Sequence, residues 1–131
     1  MPVSSVRVEV SPGELIDKIT ILEIKLARLG DPAQRANVRH EYDVLARERR
    51  AALSPSPELD RLVADLKAVN EALWVIEDDI RERERAKDFG PRFVELARSV
   101  YHNNDRRAQL KRDINVLLGS AIIEEKSYSK Y

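Results

Sequence analysis

The sequence lacks cysteine, long apolar runs and an excess of charge of either sign. Without cysteine, the chain can form neither a thiolate nucleophile nor a cysteine-ligated zinc site nor a disulfide framework, and this composition suits a reducing compartment. No window contains the roughly 18 apolar residues that a membrane-spanning helix needs, and MPVSSVRVEV (1–10) has neither the basic start nor the apolar stretch of a signal peptide. We therefore expect a cytoplasmic protein without a membrane partner.

The charges are balanced, with 23 Lys and Arg against 23 Asp and Glu. A balanced chain creates no long-range field that attracts nucleic acid, so we expect no nucleic-acid partner and recognition through local contacts. With 131 residues, 43% of them apolar, the chain is long enough to bury a core of its own. We predict one helical domain over 1–131.

Proline follows a capping residue or a chain break at four places, and each place predicts the start of a helix. A side-chain oxygen at the N-cap satisfies a free backbone N–H, and proline at the next position has no N–H to satisfy. Glu14 and Gln34 stand at the third position of two capping boxes. The four pairs are Ser11-Pro12, Asp31-Pro32, Ser56-Pro57 and Gly90-Pro91, and the helices are predicted over 12–29, 32–53, 57–87 and 91–118.

Two of these helices carry apolar seams of coiled-coil type, which bury themselves by packing against other helices. We therefore predict an all-α fold, an antiparallel bundle of about four helices. The seam residues are Leu15, Ile19, Leu22, Leu26 and Leu29 in the first helix and Leu59, Leu62, Leu66, Val69, Leu73, Ile76 and Ile80 in the third.

The segments that flank the bundle (12–118) are extended. In the lead-in 1–10, Val6, Val8 and Val10 alternate with charged residues, which favours a short strand whose partner edge a second copy could supply. Gly119 is typical of the residue that ends a helix, and an extended tail over 119–131 follows it.

The first helix has a second face away from its leucine seam. Ile21 and Ile24 lie on it and are exposed unless another surface covers them. We favour a subunit contact over a central position in the fold, so we expect a homodimer. Asp17, on the same face and near the helix start, is expected to act in surface or capping electrostatics.

The last helix has a polar interruption in the line of residues that should face the core. Its positions fall on one side at 3.6 residues per turn, and three successive turns are polar. A buried cation is costly unless it is paired, so Arg107 and Lys111 on this line require anionic side chains or an anionic ligand. The line is Phe93, Ala97, Val100, Asn104, Arg107, Lys111, Asn115 and Leu118.

The third helix carries a matching polar stripe, and two interpretations stay open. In the structural one, Glu77 pairs with Arg81 and is reached by Arg107 or Lys111. In the other, a small anionic metabolite binds between helices three and four: cations neutralise it, amides orient it and aromatic rings wall the site. The stripe comprises Asn70, Glu77, Arg81 and Glu84, and the predicted ligand-binding residues are Asn70, Trp74, Glu77, Arg81, Tyr101, Asn104, Arg107, Lys111 and Asn115.

Motifs for catalysis and cofactor binding are absent from the sequence, which has no glycine-rich phosphate loop and no nucleophile elbow. His102 lies on the side of its helix opposite the polar line. Asp78 and Asp79 project away from Glu77, so this acidic run does not form a metal site by itself. We predict no metal and no cofactor.

Four stretches carry a resemblance to a known family: SPGELIDKITILEIK (11–25), LWVIEDDIRERE (73–84), FVELARSVYHNNDRRAQLKRDIN (93–115) and GSAIIEEKSY (119–128). The chain resembles a family of small bacterial proteins known as domain of unknown function 6165. The resemblance implies a compact, mainly helical, stand-alone domain and supplies no reaction.

A looser likeness points to an enzyme. The ELIDKI rhythm of the first helix is similar to that of all-helical chorismate mutases, which would assign anion-stabilising roles to Lys18, Arg81, Arg107 and Lys111. Glu14 stands in the region where that family has an arginine. An enzyme of this type, or one like the all-α NTP pyrophosphohydrolases, is therefore an alternative to the metabolite-binding domain, and a dimeric protein-interaction module is another.

Overall fold

The structure, a computed structural model, describes residues 4–131 and confirms the all-α prediction. Each helix begins at the predicted proline and ends within two residues of its predicted end, because the starts are encoded by local capping chemistry. The helices are α1 (Pro12–Arg28), α2 (Pro32–Ala52), α3 (Pro57–Arg85) and α4 (Pro91–Leu117).

Side chains cap three of the four helix starts. Ser11, Asp31 and Ser56 each accept a hydrogen bond from the backbone N–H three residues later, at 3.1, 2.9 and 3.1 Å. Before α4 the cap is Gly90, whose own N–H donates to Asp88 Oδ1 at 3.1 Å. Glu14 contacts Lys111 of α4, so its carboxylate serves a tertiary contact.

The core lies where α3 and α4 form an antiparallel hairpin and α1 packs against both. A hydrophobic cluster fills this junction, and burying each of its large side chains contributes about 1.5–3 kcal/mol. α2 packs against α1 alone among the four helices and buries only Val38 and Ala46. The cluster consists of Ile16, Leu59, Leu66, Leu110 and Ile114.

The predicted N-terminal strand does not form. Residues 5–10 have no regular secondary structure, and the side chains of Val6 and Val8 are 78% and 74% exposed. A strand needs a partner edge, and the described part of one chain, 4–131, contains no other strand.

The second face of α1 is covered within the chain, so the prediction that a subunit contact covers it was wrong. Ile24 is buried at 3% exposure and Ile21 is half-buried. α1 lies between α2 on one side and α3 and α4 on the other, so neighbouring helices of the same chain cover both of its apolar faces. α1 is therefore the central helix of the bundle.

α4 ends in a Schellman motif, as Gly119 predicted. Gly119 has φ +65°, and the N–H groups of Gly119 and Ser120 donate to the carbonyls of Val116 and Asn115 at 3.2 and 2.9 Å. This motif reverses the chain, so the tail runs back along α4 from residue 120 onward. Within residues 4–131, every helix is too short or too polar to cross a membrane.

Candidate functional site

The polar line of α4 faces α1, beside the core. The most buried residues of α4 are Leu96, Leu110, Ile114 and Asn115, so the centre of its buried face is shifted from the predicted line. The cations of the line lie at the edge of the core, where α1 supplies carboxylates.

Asp17 and Arg107 form an ion pair at this edge. Arg107 Nε donates to Asp17 Oδ1 at 2.9 Å, and Arg107 Nη2 donates to Asp17 Oδ2. Asp17 is 1% exposed and Arg107 is 32% exposed at the side chain, so the carboxylate is buried and the guanidinium reaches solvent. A bidentate ion pair of this kind fixes the orientation of the guanidinium plane.

Two further polar groups complete the surroundings of the Asp17 carboxylate. Asn70 Nδ2 of α3 donates to Asp17 Oδ1 and to Thr20 Oγ1, both at 2.9 Å. Thr20 Oγ1 donates in turn to the Asp17 carbonyl at 2.8 Å. No buried side-chain polar atom in residues 4–131 lacks a partner, so this network is internally satisfied.

Lys111 lies one turn further along α4 and contacts two carboxylates. Its Nζ donates to Glu14 Oε2 at 2.6 Å and to Glu124 Oε2 of the tail at 3.4 Å. Glu14 also pairs with Lys18 at 3.7 Å, and Ser11 Oγ donates to Glu124 Oε1 at 3.5 Å. The tail therefore takes part in the same charge cluster as the two helices.

Asn115 joins α4 to the first turn of α1. Its Oδ1 accepts a 2.7 Å hydrogen bond from the Gly13 N–H, one of the free donors at a helix start. The two backbones are so close that a Cβ at Gly13 would lie 2.5 Å from the Lys111 carbonyl oxygen. Glycine is therefore required here for close approach.

The charge cluster shifts the pKa values of both cations upward. The hydrogen bond to Asp17 is the main cause for Arg107 and outweighs the effect of burial. Burial by itself would lower the pKa of Lys111, but the hydrogen bond and charge of Glu14, helped by Asp17 and Glu124, raise it. Both side chains therefore stay protonated at neutral pH.

A cavity of about 370 Å³ opens between α1, α3 and α4, and we call it the α3–α4 cavity. Four of its nine lining residues are aliphatic or aromatic, and Arg107 is one of the five polar ones. Five of the nine predicted ligand residues line it. The lining is Ile21, Ile24, Asn70, Leu73, Trp74, Glu77, Asp78, Asn104 and Arg107.

A second cavity, of about 400 Å³, lies between α4 and the tail, and we call it the tail groove. Asn104 and Arg107 border both cavities, and Lys111 and Asn115 belong to the tail groove. The tail supplies its other wall, with Glu124, Glu125, Lys126 and Tyr128.

The remaining predicted residues lie outside the α3–α4 cavity. Arg81 is 79% exposed at the side chain and pairs with Glu77 at 3.6 Å, as predicted. Tyr101 is 41% exposed, and its ring lies 5.0 Å from that of Tyr131 at the end of the tail. The polar line of α4 thus extends toward α1 and the tail.

The predicted contact of Glu77 with Arg107 or Lys111 and the predicted surface role of Asp17 were wrong. Asp17 pairs with Arg107, and Glu14 pairs with Lys111. The signal was present, because Asp17 lies one turn from Ile21 on the apolar face of α1. A charged residue on an apolar helix face requires a partner of opposite charge, as the cations of α4 do.

Residues 4–131 contain no cluster of three or more histidine, aspartate or glutamate side chains able to hold a metal ion. The Arg107 guanidinium, held by Asp17, lies beside the α3–α4 cavity, and Lys111 lies beneath the tail.

Comparison with protein families identifies the chain. A model described as a family of unknown function (DUF6165) matches residues 6–131. The chain belongs to this family. No curated protein and no solved structure gives a significant match. Membership in DUF6165 therefore confirms the resemblance carried by the four stretches.

Proposed function

We propose that this DUF6165 protein binds a small metabolite, carboxylate- or phosphate-bearing, in the α3–α4 cavity, with Arg107 as the anion contact. The observation that carries this proposal is the orientation of the Arg107 guanidinium, which Asp17 fixes. Asp17 holds Nε and Nη2, while Nη1 makes no hydrogen bond to the described residues 4–131. The third guanidinium nitrogen is therefore oriented in advance and free to donate.

The walls of the cavity favour a ligand with an apolar body. Ile21, Ile24, Leu73 and Trp74 line it, and its volume of about 370 Å³ is in the range of small-molecule sites. Burial of apolar ligand surface would supply affinity, and the single guanidinium would supply orientation.

The acidic residues of the cavity indicate which way the ligand lies. Glu77 and Asp78 line it together with Arg107. Their carboxylates repel an anion, so the anionic group of the ligand is expected at the Arg107 end, where Asn104 can donate a further hydrogen bond.

Trp74 provides a direct test, because it is the single tryptophan of the chain and lines the cavity. We would titrate the protein with aliphatic and aromatic monocarboxylates and with phosphate monoesters, following Trp74 fluorescence and binding heat. The double variant with Asp17→Asn and Arg107→Gln removes both charges together, so no buried carboxylate is left without its cation. We expect this double variant to bind at least about tenfold more weakly, since it loses a charge-assisted hydrogen bond.

Arg81→Gln is the matched control, because Arg81 is a cation of the same stripe that lies outside the cavity. It should bind as the wild type does. Equal affinity in the double variant, or an unchanged Trp74 signal across the whole panel in the wild type, would overturn the proposal.

The other expectations stay predictions. A homodimer is still predicted, but Ile24 does not support it, because neighbouring helices of the same chain cover this side chain. The alternating Val6, Val8 and Val10 remain exposed and are the residues that a second copy could pair with. Light scattering would establish the oligomeric state, and an activity screen would test the chorismate mutase and NTP pyrophosphohydrolase alternatives.

A further inference from the structure

The tail is held to α4 by a matched series of charges. Glu124 and Glu125 meet Lys111 and Arg112, both at 3.4 Å, and Lys126 bonds to Asp105 further back along the helix. Two anions and a cation of the tail thus face two cations and an anion of α4. Complementarity at three consecutive tail residues sets one register for the tail on the helix.

These contacts are weak individually. The side chains of Glu124 and Glu125 are 50% and 77% exposed, and exposed ion pairs contribute little to stability. The tail has no helix or strand, and its isoleucines are only partly buried: Ile123 is half-buried and Ile122 is 36% exposed. The tail can therefore leave the groove without disturbing the core.

The charge balance beneath the tail depends on Glu124. The cluster under it has three cations, Lys18, Arg107 and Lys111, against two anions, Glu14 and Asp17. The Glu124 carboxylate supplies the missing negative charge. Lifting the tail leaves one positive charge in excess there and also leaves Arg112 without Glu125.

We infer that the tail groove is a second anion site, that the Glu124 carboxylate occupies it as an internal stand-in, and that a free carboxylate or phosphate competes with the tail for Lys111. Asn104 and Asn115 line the same groove and offer amide groups to such an anion. Binding of the anion to Lys111 displaces Glu124 and releases the tail from α4. The inference does not require a ligand in the α3–α4 cavity.

The test uses full-length protein and two probes, inorganic phosphate and acetate, at constant ionic strength. The double variant Glu124→Gln with Glu125→Gln keeps the length of the tail and removes its competing charges. We expect it to bind the better probe at least about fivefold more tightly than the wild type does, because its internal competitor is gone. Glu71→Gln with Glu95→Gln, two exposed glutamates of α3 and α4, is the matched control and should leave affinity unchanged.

The second measurement follows the tail itself. In the wild type, saturation with the probe should raise the fast backbone mobility of residues 122–131 in NMR relaxation, while α1 to α4 stay unchanged. Adding Lys111→Met to the double variant should abolish the gain in affinity. Glu14 retains Lys18 as a partner in that variant, so the fold is preserved.

Three outcomes would overturn the inference: no binding of either probe in any variant, equal or weaker binding in the double variant, or a tail that stays ordered at saturation. Arg107 borders both cavities, so Trp74 distinguishes the two sites, because it lines the α3–α4 cavity and lies outside the tail groove.

Discussion

The Gly13 N–H donates a 2.7 Å hydrogen bond to Asn115 Oδ1, 102 residues later in the chain. This contact brings the first turn of α1 against the last turns of α4, close enough that the Lys111 carbonyl oxygen blocks the place of a side chain on Gly13. The charge cluster of Lys111, Glu14 and the tail is assembled on this close approach.

Gly13→Ala should destabilise the protein by about 1–3 kcal/mol, because the new methyl group meets backbone, which cannot rotate away. Gly30→Ala is the control: nothing lies within 4 Å of a Cβ there and its φ is not positive. We expect a neutral or slightly stabilising effect at Gly30, and urea denaturation measures both. Similar stability of the two variants would show that the helices can move apart.

Loss of Arg107 and loss of Asp17 should lower the free energy of unfolding by different amounts. Arg107→Met leaves the carboxylate of Asp17 at 1% exposure without its cation, whereas Asp17→Asn leaves a guanidinium that already reaches solvent. We expect about 3–5 kcal/mol for Arg107→Met and about 1–3 kcal/mol for Asp17→Asn in urea denaturation. The variant with both changes should cost less than their sum. Equal single effects would contradict the burial difference on which this prediction depends.

Asn70→Asp is nearly isosteric but should be severely destabilising at neutral pH. It places a second carboxylate where Asn70 Nδ2 now lies 2.9 Å from Asp17 Oδ1, and like charges in a buried site oppose each other. We expect a loss of about 3–5 kcal/mol at pH 7 that narrows at pH 5, as the pair takes up a proton. Asn103→Asp, at a partly exposed amide that bonds the Ser99 carbonyl, should lose far less.

The end of the tail should detach at both extremes of pH. Hydrogen bonds from Lys126 and then Tyr131 lower the pKa of Asp105 below its ordinary value of 3.8. A lowered carboxyl pKa contributes to docking above the unfolded value, and the contribution is lost as pH falls through the lowered one. The hydrogen bond to Asp105 raises the pKa of Tyr131 above 10.0, so its contribution is present below 10.0 and lost as pH rises through the raised value.

Amide mobility of residues 126–131, followed by NMR from pH 3 to 11, measures this behaviour. Between about pH 5 and 9 the tail should stay docked. Asp105→Asn removes the carboxylate and should increase tail mobility at neutral pH, with a flatter profile on the acid side. A tail equally mobile at pH 3 and pH 7 in the wild type would contradict the prediction.

Much of the fold was predictable, and much of the candidate site was not. The polar interruption of α4 could be found from the 3.6-residue helical repeat. This repeat places Asn104, Arg107, Lys111 and Asn115 one after another on one side of the helix. The direction in which that side faces could not be found, because it depends on how α1 crosses α4. The same crossing covered Ile24 and placed Asp17 against Arg107.

The amino-acid sequence by itself determined where the four helices begin and end, because a cap such as Ser11 or Ser56 acts on a backbone N–H only three residues away. Tertiary structure alone decided which carboxylate neutralises which cation. Asp17 and Arg107 are 90 residues apart, and their meeting depends on helix packing that no local pattern encodes.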